Sequence, residues 1–269
     1  MTSANNLFQF EDLNGRFLLI TGISRGIGRA LLPGLLEQGI WLVAIGREMQ
    51  IMEDVRAELG LKSDRLKLFQ CDLSQPGEVE AVGRAILAEG IVLDALLHNA
   101  AIDPRAQFEK AGQSHWSDVF QVNVFSAMSL TRAFLPSLRS SGSGRIIFTG
   151  SVMDQMGGSL LTAYSASKAA LAGATRSLAH ELKGTGITVN GIIPGAIQVE
   201  KDTHTEEDDR LIRSWQAVDR RLNPGDLLGL ICLLLSSAGS AISGQTITVD
   251  GGLLHPLVDP VSQATLLPN

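Results

Sequence analysis

Seven short apolar runs punctuate the chain, and longer stretches with helical spacing separate them. The runs lie at 17–20, 40–45, 66–69, 93–97, 145–149, 187–193 and 246–249. Runs that are apolar on both faces, with helices between them, predict strands of a parallel sheet covered on two sides. Right-handed crossovers then give a doubly wound α/β fold with seven strands. The apolar stretch 227–235 is too short to cross a bilayer and predicts a buried helix. Pro33 falls inside the first helical pattern and predicts a kink, because it removes a backbone donor.

Composition narrows the function classes. The chain has 269 residues, 45% hydrophobic and 19% charged, which suits one domain with a substantial core. No linker, repeat or low-complexity tract divides residues 1–269. The formal net charge of -6 argues against nucleic-acid binding and against an anionic membrane surface. The polar N-terminal stretch 1–12 is read as neither a signal peptide nor a span. Cys71 and Cys232 predict two reduced, buried thiols in a cytoplasmic protein, and no Cys/His cluster has metal-ligand spacing. The acidic insertion 200–213, with Glu206-Glu207-Asp208-Asp209, reads as a solvated helix start, as a lid over a site at 200–215, or as both.

The first strand runs into Thr21-Gly22-Ile23-Ser24-Arg25-Gly26-Ile27-Gly28, which opens a helix. Glycines there let backbone turn tightly and approach a pyrophosphate, and the helix start supplies free N–H groups. The spacing Gly-xxx-Gly-x-Gly resembles that of the short-chain dehydrogenase/reductase family, a Rossmann-fold family. The resemblance spans about 13–252. Its landmarks follow in order: Cys71-Asp72-Leu73, His98-Asn99-Ala100-Ala101, Asn123, Ser151, Tyr164-Ser165-Ala166-Ser167-Lys168, Pro194-Gly195 and Asp250-Gly251-Gly252. It implies a cofactor-binding set of Gly22, Ser24, Arg25, Gly26, Ile27, Gly28, Arg47, Asp72, Leu73, Asn99, Tyr164, Lys168, Pro194, Gly195 and Ile197. By the same resemblance Asp72 bonds the adenine amino group and Asn99 steadies the strand beside the adenosine. Ala101 stands where the family has glycine. His98 reads as a packed core histidine.

Cofactor choice is set after the second strand, which ends Ala44-Ile45-Gly46-Arg47. An acid there would hold ribose hydroxyls; a cation suits a 2′-phosphate. Gly46 occupies the acidic position, and Arg47, with Arg25 as a second cation, favours NADP(H) over NAD(H). Glu48 is the opposing neighbour.

Tyr164 and Lys168 are four apart, so a helix puts them on one face. Tyr164 is the chain's single tyrosine. Ser151 lies thirteen residues earlier, after the strand at 145–149. With Asn123, in the helix pattern around 122–135, these form the catalytic set the resemblance implies: Asn123, Ser151, Tyr164 and Lys168. Hydride transfer to a carbonyl leaves an alkoxide that needs a proton, and the reverse reaction removes one. A free phenol has a pKa of roughly 10, and lowering it by about three units takes roughly 4 kcal/mol. Lys168 and a positive nicotinamide are expected to supply much of that. Lys168 is also implied to hold ribose hydroxyls, Ser151 to donate to the substrate oxygen, and Asn123 to anchor a relay water. Pro194-Gly195 would wall the nicotinamide. Val199 stands where a threonine often bonds the carboxamide, which shifts that contact to the backbone at Ile197 or elsewhere.

The expected activity is hydride transfer between nicotinamide and an alcohol or carbonyl carbon. Two substrate readings compete. A sugar or polyol dehydrogenase would use Gln198, Glu200, Asp154 and Gln155 toward hydroxyls. A 3-oxoacyl-(acyl-carrier-protein) reductase would need cations at the entrance, where Arg139 and His180 stand, although the acidic insertion steers poorly for an acidic carrier. Met153, Met156 and Trp215 line an apolar pocket or pack in the core. A non-catalytic dinucleotide sensor is the alternative of another class. The resemblance further implies a homotetramer through helices near 113–138 and 161–183, where Ala163, Ala166, Ala169, Ala170, Ala172 and Ala174 permit close packing. Residues 13–110 would form mainly the cofactor half and 111–252 mainly the catalytic half. The tail 253–269, with Leu253, Leu254 and Leu257, would reach a neighbouring subunit or end loosely.

Overall fold

The computed structural model describes residues 9–61, 64–199 and 205–254. All seven runs form strands: β1 (Phe17–Thr21), β2 (Trp41–Gly46), β3 (Leu66–Gln70), β4 (Ala95–His98), β5 (Arg145–Thr149), β6 (Thr188–Pro194) and β7 (Thr246–Val249). They make one parallel sheet in the order β3-β2-β1-β4-β5-β6-β7. The fourth run is trimmed at its start. Asp94 there lies outside the ladder, and its carboxylate accepts the Phe17 N–H at 2.8 Å.

Helices cover both faces. They are α1 (Gly26–Glu37), α2 (Met49–Glu58), α3 (Pro76–Ala88), α4 (Gln113–Phe120), α5 (Ser126–Ser140), α6 (Met153–Met156), α7 (Thr162–Glu181), α8 (Glu206–Trp215) and α9 (Gly225–Leu235). Alternation within each strand divides the core. Leu18 and Ile20 of β1 face Leu31, Leu35 and Ile231 of α1 and α9. Leu19 faces the other way, into a cluster with Val82 of α3, Phe134 of α5 and Leu171 of α7. Burying a side chain such as Phe134 contributes about 2–3 kcal/mol. The apolar stretch near 227–235 is α9, buried as expected. No described helix is long and apolar enough to cross a membrane.

α1 runs on unbroken through Pro33, so the expected kink does not interrupt it. A π-helical turn, Gln121–Phe125, joins α4 to α5, so the single helix expected around 122–135 carries an extra residue in one turn. The acidic insertion is in part α8, opened by a capping box between Thr205 and Asp208, with four acids in its first turn and no buried residue. That matches a solvated helix start. Residues 200–204, Leu257 and the rest of 255–269 lie outside the described residues. Leu253 is buried against Val152 and Ile193 of its own chain, which is the position of the tail's first residue.

Candidate active site

Every strand end that carries a motif points to one rim. The sheet's order reverses between β1 and β4, and a crevice at such a reversal is where ligands bind in this architecture. The glycine turn is built for close backbone approach. Gly22 has φ +77, and a methyl there would lie 2.7 Å from the Ala100 Cα. A methyl on Gly28 would lie 2.2 Å from the Gly22 carbonyl oxygen. Gly26 differs: its nearest neighbour would be Val199 at 4.0 Å, so this face of the turn is open. α1 begins there with no capping side chain and no acid in its first turn. Its unsatisfied N–H groups and positive end fit a pyrophosphate, so the residues present accommodate a dinucleotide.

Asn99 locks the turn to β4. Its Nδ2 donates to the carbonyls of Thr21 at 3.1 Å and Gly22 at 3.0 Å. Thr21 Oγ1 accepts from the N–H groups of Asn99 and Ala100 at 3.1 and 3.0 Å. Thr21 was not singled out from the sequence, and its only signal is a hydroxyl at the strand end before the glycines. Ser24 is half-buried near the end of β2, and Ile27 packs on the core. At the end of β2, a methyl on Gly46 would meet Met52 Sδ at 2.6 Å, so a side chain there would require the Met52 side chain to shift. Arg25 and Arg47 are exposed, and Arg47 pairs with Glu48 at 3.2 Å. Asp72 is half-buried and holds the Ser74 N–H at 2.9 Å, while the Leu73 carbonyl accepts from Gln121 at 3.1 Å.

The second group gathers at β5 and α7. Ser151 follows β5, and its hydroxyl hydrogen-bonds the Tyr164 phenol. Lys168 is buried; its Nζ donates to the Thr149 carbonyl at 2.7 Å and lies 5.6 Å from the centre of the Tyr164 ring. Asn123 sits in the π turn. Its amide bonds Ile102 through both the N–H (2.8 Å) and the carbonyl (2.9 Å), and donates to Ser167 Oγ at 3.0 Å. Ser167 in turn donates to the Tyr164 carbonyl at 2.7 Å. The four residues named from the sequence are thus assembled, and Ser167 is a link the sequence did not single out.

Burial dominates the electrostatics of the pair. Burial pushes the Tyr164 phenol above its ordinary value, the Ser151 hydrogen bond opposes this, and the charges of Asp103 and Asp154 reinforce it. Burial also pushes Lys168 down to about 8, with Asp103 and Asp154 acting the other way. Desolvation is the largest influence on both groups, and the lysine's hydrogen bond goes to backbone. The Ile197 N–H is already engaged by the Gly195 carbonyl at 3.0 Å, so the backbone donor expected there is in use. His98 is a core histidine as expected, stacked on Phe148. Both cysteines are buried and free. No group of three or more His, Cys, Asp or Glu residues that could hold a metal exists among the described residues.

A family model described as short chain dehydrogenase matches residues 16–210. The chain belongs to the short-chain dehydrogenase/reductase family. It is therefore an oxidoreductase that uses a nicotinamide cofactor on an alcohol or carbonyl carbon of a small molecule. Family relatives match most of it. The 3-oxoacyl-(acyl-carrier-protein) reductase FabG of Vibrio cholerae is 31% identical over 90% of this chain and 98% of its own. The 2-dehydro-3-deoxy-D-gluconate 5-dehydrogenase of Pseudoalteromonas atlantica is 32% identical over 90% and 96%. A crystal structure from Beutenbergia cavernae, described as a putative NAD(P)-dependent gluconate 5-dehydrogenase with bound NADP at low occupancy, is 33% identical with a TM-score of 0.82, over 90% and 98%.

Proposed function

We propose that this short-chain dehydrogenase/reductase is an NADP(H)-preferring enzyme in which Tyr164 exchanges a proton with the oxygen of a small hydroxylated substrate. The observation that carries the reading is the gathering of Ser151, Tyr164 and Lys168, with Lys168 5.6 Å from the centre of the Tyr164 ring, at the rim where the glycine turn opens. When bound, the nicotinamide supplies or accepts the hydride and, oxidised, adds a positive charge at the site. Ser151 donates to the substrate oxygen where charge develops. Tyr164 gives or takes the proton. Lys168, held by Thr149, presents its ammonium toward the phenol and the ribose. Asn123 keeps the segment at Ile102 and the start of α7 in register for the proton relay. Gly22, Ser24, Gly26, Ile27, Gly28, Asp72, Leu73, Asn99, Pro194, Gly195 and Ile197 form the dinucleotide cradle, mostly within 13–110, with the catalytic half in 111–252.

The preference for NADP(H) rests on Arg47 and Arg25 and on Gly46 standing where an acid would hold the ribose. The substrate class rests on Asp103 and Asp154, acids whose charges reach Tyr164 and which disfavour an anionic group there. α8 serves as the lid, tied by the half-buried Arg221–Asp209 pair. The two free, buried thiols support a cytoplasmic setting. Exposed Phe125 near the start of α5 supports assembly into a homotetramer through α5 and α7.

The likeness to the Vibrio cholerae reductase favours a second reading, reduction of a 3-oxoacyl carrier substrate. Arg139 and His180 are both exposed and open to an acidic carrier. A panel of neutral polyols, sugars and ketones against a 3-oxoacyl thioester, each with both nicotinamides, separates the two by kcat/KM. Preference for the thioester reverses the substrate assignment. Dinucleotide binding without turnover of any of them would favour a sensor.

A further inference from the structure

Asp154 of α6 has one carboxylate oxygen shut away from solvent and without a hydrogen-bond partner. A Gln155 side chain holds the carboxylate from outside, and the Asp154 N–H donates to the Ser151 carbonyl at 3.0 Å. Asp154 and Lys168 line one narrow space with Phe148, Leu171 and Ile192. The space is about 10 Å³, room for one water at most and far too small for a substrate. Asp154 is half-buried as a residue, but an enclosed carboxylate oxygen without a hydrogen bond is costly unless an opposite charge lies near it. Lys168, 2% exposed, is the cation that lines the same space.

We propose that Asp154 is a positioning residue whose half-buried negative charge, across the space it shares with Lys168, keeps the proton on the lysine and holds the Tyr164 phenol un-ionised. This rests on the proposed roles of Tyr164 and Lys168. Burial drives Lys168 toward losing its proton, and Asp154 opposes that together with Asp103 of the segment after β4. The same two acids raise the phenol. The other elements packed on α7 add nothing to this balance among the described residues. α4 carries His115 and Asp118, neither of which acts on Lys168; the π turn and β6 carry no charge; and Arg145 of β5 bonds the carbonyls of Ser143, Gly144 and Ser236 at the far end of the strand.

Because Tyr164 is the single tyrosine, the near-ultraviolet tyrosinate absorbance of the full chain reads this phenol with no cofactor and no turnover. Asp154→Asn is expected to ionise at lower pH than the native protein, with about threefold more phenolate at a given pH on the rising limb, equivalent to about half a pH unit. Asp154→Ser, smaller and also uncharged, is expected to do the same, and Asp154→Glu to stay with the native curve. Coincident curves for the native protein and both uncharged variants overturn the proposal. A curve moved as far by Asp154→Glu as by Asp154→Asn does so too, since it would mark a packing effect and not a charge. The titration is independent of catalysis: an active Tyr164→Phe would remove the catalytic pair and leave the Asp154 result standing.

Discussion

Lys168 gives its hydrogen bond to the backbone oxygen of Thr149, at 2.7 Å, and meets Tyr164 only through the ring, 5.6 Å from its centre. The phenol's hydrogen bond comes from Ser151 instead. Proton exchange with substrate therefore depends on the phenol oxygen, while the lysine is anchored without it. Tyr164→Phe keeps the ring packing and removes only that oxygen. Turnover is expected to fall by roughly 10²-fold or more, with dinucleotide affinity nearly unchanged by titration calorimetry. Native activity in the variant would remove the mechanism.

Arg47 stands after β2 with a side chain 70% exposed, and its pair with Glu48 contributes little to stability. Arg47→Ala should leave the unfolding midpoint in urea almost where it was. Its effect belongs to the 2′-phosphate. A charge-assisted hydrogen bond contributes about 1.5–3 kcal/mol, so NADPH should bind roughly tenfold or more weakly while NADH is unaffected. Equal losses for both would assign the cofactor the other way.

Gly22 and Gly26 separate stability from binding. Both have positive φ, which costs an L-residue about 1–2 kcal/mol. Gly22→Ala adds a collision with the Ala100 backbone at 2.7 Å, so β1 and β4 must part. Its loss of stability in urea should exceed that of Gly26→Ala, whose methyl meets only Val199 at 4.0 Å. Gly26→Ala should instead weaken dinucleotide binding, because the methyl enters the open face of the turn. Equal destabilisation by the two would contradict this division.

The strands were legible because a strand covered on both faces needs an unbroken apolar run, and few other segments have one. β5 and β7 match their runs residue for residue, while β2 and β6 shift by one, where Gly46 and Pro194 extend the ladder. Tyr164 and Lys168 were legible because a helix turns their spacing into a shared face. Thr21 and Ser167 were not, because small hydroxyls are common and their partners come from distant segments. The π turn at Asn123 depends on one extra residue that no local pattern marks. The upward displacement of the Tyr164 phenol and the enclosed oxygen of Asp154 both follow from burial, which packing decides after the elements have formed.

His98 makes acid stability a measurable property of the core. It is 5% exposed and stacked on Phe148; its Nε2 lies 2.9 Å from Thr131 Oγ1, and its Nδ1 has no partner. Burial alone lowers its pKa from 6.5 to about 3. Above pH 6.5 the ring is neutral in both folded and unfolded chains, and the full stability is present. As pH falls through 6.5, the unfolded chain takes up a proton that the folded one refuses, so stability falls until about pH 3. The loss is about 1.4 kcal/mol per unit, or roughly 2–3 kcal/mol by pH 4.5. His98→Asn cannot titrate and fills less of the space beside Phe148, so it should be the less stable protein at pH 8. The two stabilities, from urea unfolding at stepped pH, should then converge as the solution is acidified. Parallel curves would mean that the ring is already protonated in the folded core or that it reaches solvent.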